Sequence, residues 1–380
     1  MAKKTTTPEP EPEITPAGYP KLVDRRLTQI YFSLEEQKIE ALAVNYLPNI
    51  RYMINYSGSE GLLFIAQDEM HFITDDRYEE QIKLELYPLP NLKTYISRDP
   101  WKYAVEKGIL SKIENLGFEA DRISYSEAVN IRNQIRPIKF KPTPYIVEPF
   151  TVPKAPEELD SIKKACEISE TVYDMMLSFI KPGMSEREIA LEIAYQTRKL
   201  GSERDPFDII VVSGNRGGLV HGMPSDKKIK YGDIIIMDFG CTVNGFVSDI
   251  TRTVAVGKAT KEHKAIYTML HTAKELAISQ VRPGMNGKHL DKVARDIIVK
   301  EGYGDYFQHS LGHGIGLVPH EKPIITFRKD DQIVPEECAI AIEPGVYLPD
   351  KFGMRIEDNC FVTKNGGIHL TKAPEEIPVI

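Results

Sequence analysis

The sequence predicts an α+β protein of two domains, a smaller α/β domain with a mixed sheet followed by a larger, internally repeated one. Three observations carry this prediction. From about residue 25 to 145, short apolar runs alternate with amphipathic ones, the pattern of an α/β domain. Prolines then concentrate around 141–157 between periodic segments, which reads as an interdomain linker. Beyond it, IKPGMSEREIALEIAYQTRKLG from Ile180 is echoed by VRPGMNGKHLDKVARDIIVKEG from Val281, 101 positions later.

In chain order, residues 1–20 alternate Pro with Thr and Glu and are expected to form an extended, solvated tail. The first domain is placed at 21–150. Within it, GLLFIA and EMHFITD flank Gln67-Asp68 as a hairpin. RYEEQIKLEL reads as helix, LKTYISR as strand, and Trp101 to Leu116 as helix. Trp101 and the Met175-Met176 pair are expected in the core. His263, His271 and His289 fall on predicted helices and are expected to be solvated.

The second domain is placed at 151–380. Leu159, Ile162, Cys166, Val172, Met176 and Phe179 mark the apolar face of a helix that precedes the first repeat copy. Ser185 and Glu188 form a capping box, and Gly201 suits the helix stop. Asn286 and Gly302 take the comparable places in the second copy. Strands correspond as well: GDIIIMDFG matches ECAIAIEPG, and GFVSDITRT matches GMRIEDN. Each half thus supplies two carboxylates from paired strands, Asp238 with Asp249 and Glu343 with Glu357. A pseudo-two-fold axis would gather all four.

Four carboxylates in one pocket require counter-charge, so cations are expected there. A lone strand-end Asp is ordinarily a turn residue or a cap; the repeated pair reverses that reading. His313 lies in GHGIGL, where glycines let backbone and metal approach closely, and it joins the set as a ligand. Four carboxylates and one imidazole suit two hard-to-borderline divalent cations better than one zinc ion. His309 and His320 crowd the same segment. Glu321 is open between orienting His320 and pairing with a cation. His221 sits in a glycine-rich loop. Arg355, two residues before Glu357, points to the same face as that glutamate, either as an ion pair offsetting the carboxylates or as a substrate contact.

A net charge of -7 over 380 residues argues against nucleic-acid binding. No apolar run approaches membrane-spanning length, and the first residues lack a signal-peptide core. Four scattered cysteines read as reduced, buried thiols, which fits a cytoplasmic setting. The sequence carries no G-x-S-x-G, H-E-x-x-H or P-loop motif.

With these motifs, the chain resembles the proline-specific metallopeptidases of the pita-bread superfamily, Xaa-Pro aminopeptidase and prolidase among them. The resemblance covers roughly residues 25–380 and includes NIRY and DDRY elements in the first domain. It implies a pita-bread catalytic domain, a curved antiparallel sheet backed by helices, after a creatinase-type N-terminal domain. It also implies roles position by position. Asp238 matches a ligand of the second metal, Asp249 and Glu357 match bridging carboxylates, and His313 and Glu343 match ligands of the first metal. His221, His309 and His320 match histidines that contact substrate or stabilise the reacting carbonyl, and Arg355 matches an arginine near the metals. Val220 stands where relatives often carry proline. A homodimer is implied, acting on proline-containing peptides.

The expected reaction is hydrolysis of the bond between an N-terminal residue and a following proline, whose nitrogen lacks the N–H that ordinary proteases use. Oxygen-rich ligation favours Mn²⁺, with Co²⁺ or Zn²⁺ as substitutes. Glu343 would shuttle a proton and His320 would stabilise the oxyanion. Rival readings are a prolidase limited to Xaa-Pro dipeptides, a metal-free amidinohydrolase of the creatinase type, and a non-catalytic binding module. The intact ligand set weighs against the last two.

Overall fold

The computed structural model describes residues 19–67 and 69–380. The chain divides into two compact units, Met1–Phe150 and Thr151–Ile380. The expected tail lies outside the described residues except at Tyr19 and Pro20, which already belong to the first helix.

In the first unit the helices are α1 (Tyr19–Glu36), α2 (Leu47–Ile54), α3 (Glu79–Glu85), α4 (Pro100–Glu106) and α5 (Tyr125–Gln134). The strands are β1 (Ala41–Val44), β2 (Leu62–Ala66), β3 (Met70–Thr74), β4 (Leu92–Ile96), β5 (Asn115–Phe118) and β6 (Lys139–Pro142). They form one sheet in the order β4-β3-β2-β1-β5-β6. β2 runs antiparallel to β1 and β3, whereas β3–β4, β1–β5 and β5–β6 are parallel, giving a mixed sheet. β2 and β3 pair as the sequence predicts, with Asp68 of their turn outside the described residues. Phe64, Leu116 and Ile131 fill the core, and a half-buried Trp101 packs edge-on against Phe64.

One expectation fails here. The helix predicted from Trp101 to Leu116 stops at Glu106, and 115–118 is strand β5. Gly108, at φ +67°, takes the left-handed conformation that ends helices. The apolar residues beyond it serve turns and the sheet.

A single turn, α6 (Glu148–Thr151), spans the division between the units. In the second unit, helices α7 (Pro156–Phe179) and α8 (Glu186–Lys199) are matched by α9 (Lys261–Gln280) and α10 (Gly287–Lys300). The first half adds β7 (Ile210–Ser213), β8 (Ile234–Phe239), β9 (Thr242–Val243), β10 (Phe246–Val247) and β11 (Ile250–Ala255). The second adds β12 (Gly312–Ile315), β13 (Glu321–Ile325), β14 (Ala339–Ile342), β15 (Gly345–Leu348), β16 (Phe352–Arg355), β17 (Asp358–Thr363) and β18 (Gly366–His369).

The repeat extends to single hydrogen bonds. Gly183 N–H donates to Ile229 and Gly284 N–H to Val334; Ile229 N–H returns to Met184 and Val334 N–H to Met285. Glu186 N–H to Lys227 is mirrored by Gly287 N–H to Gln332. The predicted caps are present: Ser185 and Glu188 form a reciprocal capping box, and Asn286 accepts from Lys288 N–H. Gly201 and Gly302 both take positive φ past their helices.

The strands build a three-stranded antiparallel sheet, β11-β8-β7, and a five-stranded one, β13-β12-β14-β17-β18. Small ribbons, β9–β10 and β15–β16, interrupt the paths from β8 to β11 and from β14 to β17. The two sheets meet where Glu357 N–H donates to Thr251 O. Helices α9 and α10 bury Ile266, Leu270, Leu290 and Ala294 against β14 and its neighbours.

Three further expectations are corrected. Met176 is buried, continuing the stripe of Ile162, Ala165, Ser169 and Val172, but Met175 falls beside that stripe and is exposed. His263 is buried rather than solvated: its ring stands edge-on to Phe352 at 4.7 Å and its Nδ1 accepts from Thr260 N–H in an N-terminal cap. His271 is half-buried on α9, with Glu275 one turn on, whereas His289 is exposed as predicted. All four cysteines are free and buried.

Candidate metal centre

β8 reads IIIMDF, a β-branched run that buries its whole length and carries Asp238 opposite Thr251 of β11. A side chain on Gly240 would strike the Ser248 carbonyl, so only glycine lets the chain reverse there toward Asp249. Asp249 immediately precedes β11. Its N–H donates to Asn359 Oδ1 (3.0 Å) and its carbonyl accepts from Asn359 Nδ2 (2.5 Å). In the second half, Glu343 follows β14 and donates its N–H to Leu311 O. Glu357 lies between β16 and β17, and its Oε2 accepts from Thr251 Oγ1 at 2.7 Å.

His313 lies on β12, opposite Ala341 of β14. Its Nδ1 donates to the Gly314 carbonyl (3.2 Å), which leaves the Nε2 lone pair free. Nε2 stands 3.8 Å from Asp249 Oδ2 and 3.7 Å from Glu343 Oε1. These gaps are too long for hydrogen bonds and are what two ligands on one ion show, given metal–ligand bonds of about 2.0–2.2 Å. Donor atoms of Asp249, His313 and Glu357 all lie within 4.8 Å of one another.

The electrostatics also call for a cation. Burial, then the neighbouring carboxylates, raise Asp249 and Glu343 well above the usual carboxylate range, and Glu357 is pushed up to about 8. Burial pushes His313 down to about 3. The one guanidinium among them, Arg355, places Nη2 2.5 Å from Asp238 Oδ2 and Nε 3.9 Å from Glu343. Asp238 Oδ1 is buried with no hydrogen-bond partner. A buried lone pair without a donor, beside three carboxylates whose negative charge is disfavoured, fits a divalent ion as the missing partner.

The remaining predicted residues surround this set. Both nitrogens of His309 are engaged: Nδ1 with Ser310 O (2.8 Å) and Nε2 with the Tyr347 hydroxyl (2.9 Å). That hydroxyl accepts from Arg355 Nη1 at 2.6 Å, making a relay Arg355–Tyr347–His309. In this conformation His309 holds Tyr347 and presents no free nitrogen. Burial, then the Arg355 charge, push it down to about 3, so the ring is neutral. His320 is exposed, its ring 4.2 Å from that of His313. His221 is exposed on its loop, near enough to both His309 and His320 to weigh against their protonation. Arg355 donates to Thr251, Tyr347, the Val220 carbonyl and Asp238, the last contact being an ion pair. Glu321 pairs with the buried Lys154 at 2.5 Å, not with His320.

Sequence reasoning missed Tyr347, Thr251 and Asn359. Tyr347 lies four residues beyond Glu343 in EPGVY, and Thr251 two residues beyond Asp249 in DITRT. It also missed a buried ion triad behind Glu357. Burial alone would raise Asp358, but Arg252 and Lys274 hold it below the usual carboxylate range. Arg252 also donates to the Glu357 carbonyl.

Comparison with known proteins matches residues 160–364 to the model of metallopeptidase family M24 and residues 26–150 to the creatinase/prolidase N-terminal domain. The chain is 35% identical over 352 residues to a Xaa-Pro dipeptidase of Pyrococcus furiosus, covering 93% of this chain and 99% of that one. Among solved structures, a Xaa-Pro dipeptidase from Bacillus anthracis superposes with a TM-score of 0.88 at 35% identity, over 94% of this chain and 100% of the other. An X-Pro aminopeptidase from Thermotoga maritima superposes with a TM-score of 0.87, also at 35% identity, over 94% and 99%.

Proposed function

The chain belongs to metallopeptidase family M24, and from that membership we propose that it is a Xaa-Pro aminopeptidase, cleaving the bond between an N-terminal residue and a following proline. The observation that carries the reading is the gathering of Asp249, His313, Glu343 and Glu357, with the charge of Asp238 bearing on the carboxylates and its Oδ1 buried and unpartnered. These five residues hold two divalent cations, Mn²⁺ by the hardness of a mostly carboxylate set. When bound, the pair supplies a nucleophilic water at neutral pH and polarises the scissile carbonyl.

The chain's own residues do the rest. Glu343 takes a proton from the attacking water and delivers it to the proline nitrogen as the C–N bond breaks. His320 donates toward the developing oxyanion. His221, exposed on its loop, holds the peptide near the leaving group. Arg355 fixes Asp238 and, through Tyr347, the His309 ring.

The catalytic domain is residues 151–380 and the N-terminal domain 21–150. The protein acts as a homodimer. A cytoplasmic setting accords with four buried free thiols. Among the described residues no helix is long and apolar enough to cross a membrane.

A second reading, Xaa-Pro dipeptidase, has the same ligands and is favoured by relatives of that name at equal identity. A paired assay on Mn²⁺-loaded protein separates the two. Release of the first residue from an Xaa-Pro-Yaa-Zaa peptide supports the aminopeptidase; cleavage of the Xaa-Pro dipeptide alone makes it a dipeptidase. Inactivity on both substrates would refute proline specificity.

A further inference from the structure

We propose that Asn359 is a positioning residue whose side-chain amide clasps the Asp249 loop to the Glu357 loop, setting the spacing of the two carboxylates that face the metals. The inference rests on the ligand assignment above. Asn359 is fully buried, and its side chain bonds to the Asp249 backbone and Cys166 rather than to a carboxylate or imidazole. Its amide pairs with the backbone of Asp249 as a neighbouring strand would: Oδ1 accepts from Asp249 N–H at 3.0 Å and Nδ2 donates to Asp249 O at 2.5 Å.

Two more bonds complete the clasp two residues on, at Thr251 near the start of β11. Glu357 N–H donates to Thr251 O at 3.1 Å, and Thr251 Oγ1 donates to Glu357 Oε2 at 2.7 Å. Residues 249 and 251 are thus tied to 359 and 357 by four hydrogen bonds, all buried, bridging the two halves of the repeat. The main-chain ladder is absent between Asp249 and Asn359, since 249 lies outside β11, and the amide supplies what that ladder would have given. Only a side chain carrying one donor and one acceptor at this length fits both groups, which asparagine provides. Cys166 Sγ also approaches Oδ1, at 3.4 Å, but takes no part in joining the loops.

Hydrogen-bond partners behind metal ligands contribute about 10–100-fold in affinity. Mn²⁺ affinity, read by competition with a chelating dye, should therefore fall by about that factor in Asn359→Ala. Asn359→Leu fills the asparagine volume without donor or acceptor, and should weaken binding equally. Cys166→Ala should bind as the native chain does. The melting point of each metal-free variant is measured beside the titration.

Weakened Mn²⁺ binding in both Asn359 variants, with the metal-free fold retained, supports the clasp. Native affinity in either variant overturns it. So does rescue by leucine alone, which would make Asn359 a space-filler, or a metal-free fold lost in both variants, which would make it a general core residue. If instead the native chain fails to take up two Mn²⁺ ions, the ligand assignment falls, independently of Asn359.

Discussion

Arg355 sets its Nη2 2.5 Å from Oδ2 of Asp238 while Oδ1 of the same carboxylate stays buried and unpartnered. One oxygen is thereby fixed and the other left without a hydrogen-bond donor. Lysine in place of Arg355 keeps the charge but cannot also reach Thr251 and Tyr347. Arg355→Lys should lower kcat/KM by about 10–100-fold while both metals remain bound. Steady-state kinetics beside metal analysis check this; unchanged kcat/KM would mean that charge alone matters.

Asp249 faces His313 and Glu357 together, so its loss removes a ligand at the centre of the set. Asp249→Ala should abolish turnover and retain fewer than two metal ions after dialysis. A variant holding two ions at full activity would sink the bridging role.

Glu357 is pushed up to about 8 by burial, with the Asp238 charge adding to it, against an ordinary value of 4.5. Between those limits the folded, metal-free chain keeps a proton that the unfolded chain has released. The unfolded state then binds fewer protons, so stability falls as pH rises through this window. Asp249 and Glu343 are shifted in the same direction. Cations replace these protons, and their stabilisation should grow with pH. Melting points with Mn²⁺ and with a chelator should therefore diverge as the pH is raised toward 8; a constant gap contradicts the account.

The capping box at α8 is a stability feature remote from the metals. Ser185 accepts from Glu188 N–H, and Ser185→Ala should cost about 1 kcal/mol in denaturant unfolding. Turnover per folded molecule should not change. Asn286→Ala, at the equivalent cap of α10, should behave alike.

Much of this was legible in the sequence because glycines and strand ends mark the places where carboxylates leave the sheet. Asp249, Glu343 and Glu357 sit at such breaks and Asp238 next to the last residue of its strand, and the repeated offset paired them. Thr251, Asn359 and Tyr347 could not be read that way. They are ordinary residue types on ordinary strands, and their importance comes from partners elsewhere in the chain, such as Glu357, Asp249 and His309. The helix predicted from Trp101 to Leu116 failed for a related reason: its apolar spacing continues past Gly108, but a single left-handed residue redirects the chain. His263 was misread because a polar ring on a helix looks solvated until its contact with Phe352 is known.

The matched bonds Gly183–Ile229 and Gly284–Val334 show each half of the second unit closing on itself, with its own helix pair and its own two carboxylates. Each half is thus a docking jaw with an incomplete grip. A cation seated between Asp249 and Glu357 would act as a rivet through the seam, and its departure would loosen the joint before either jaw came apart. Metal supply would then govern how firmly the halves are joined as well as whether the enzyme turns over.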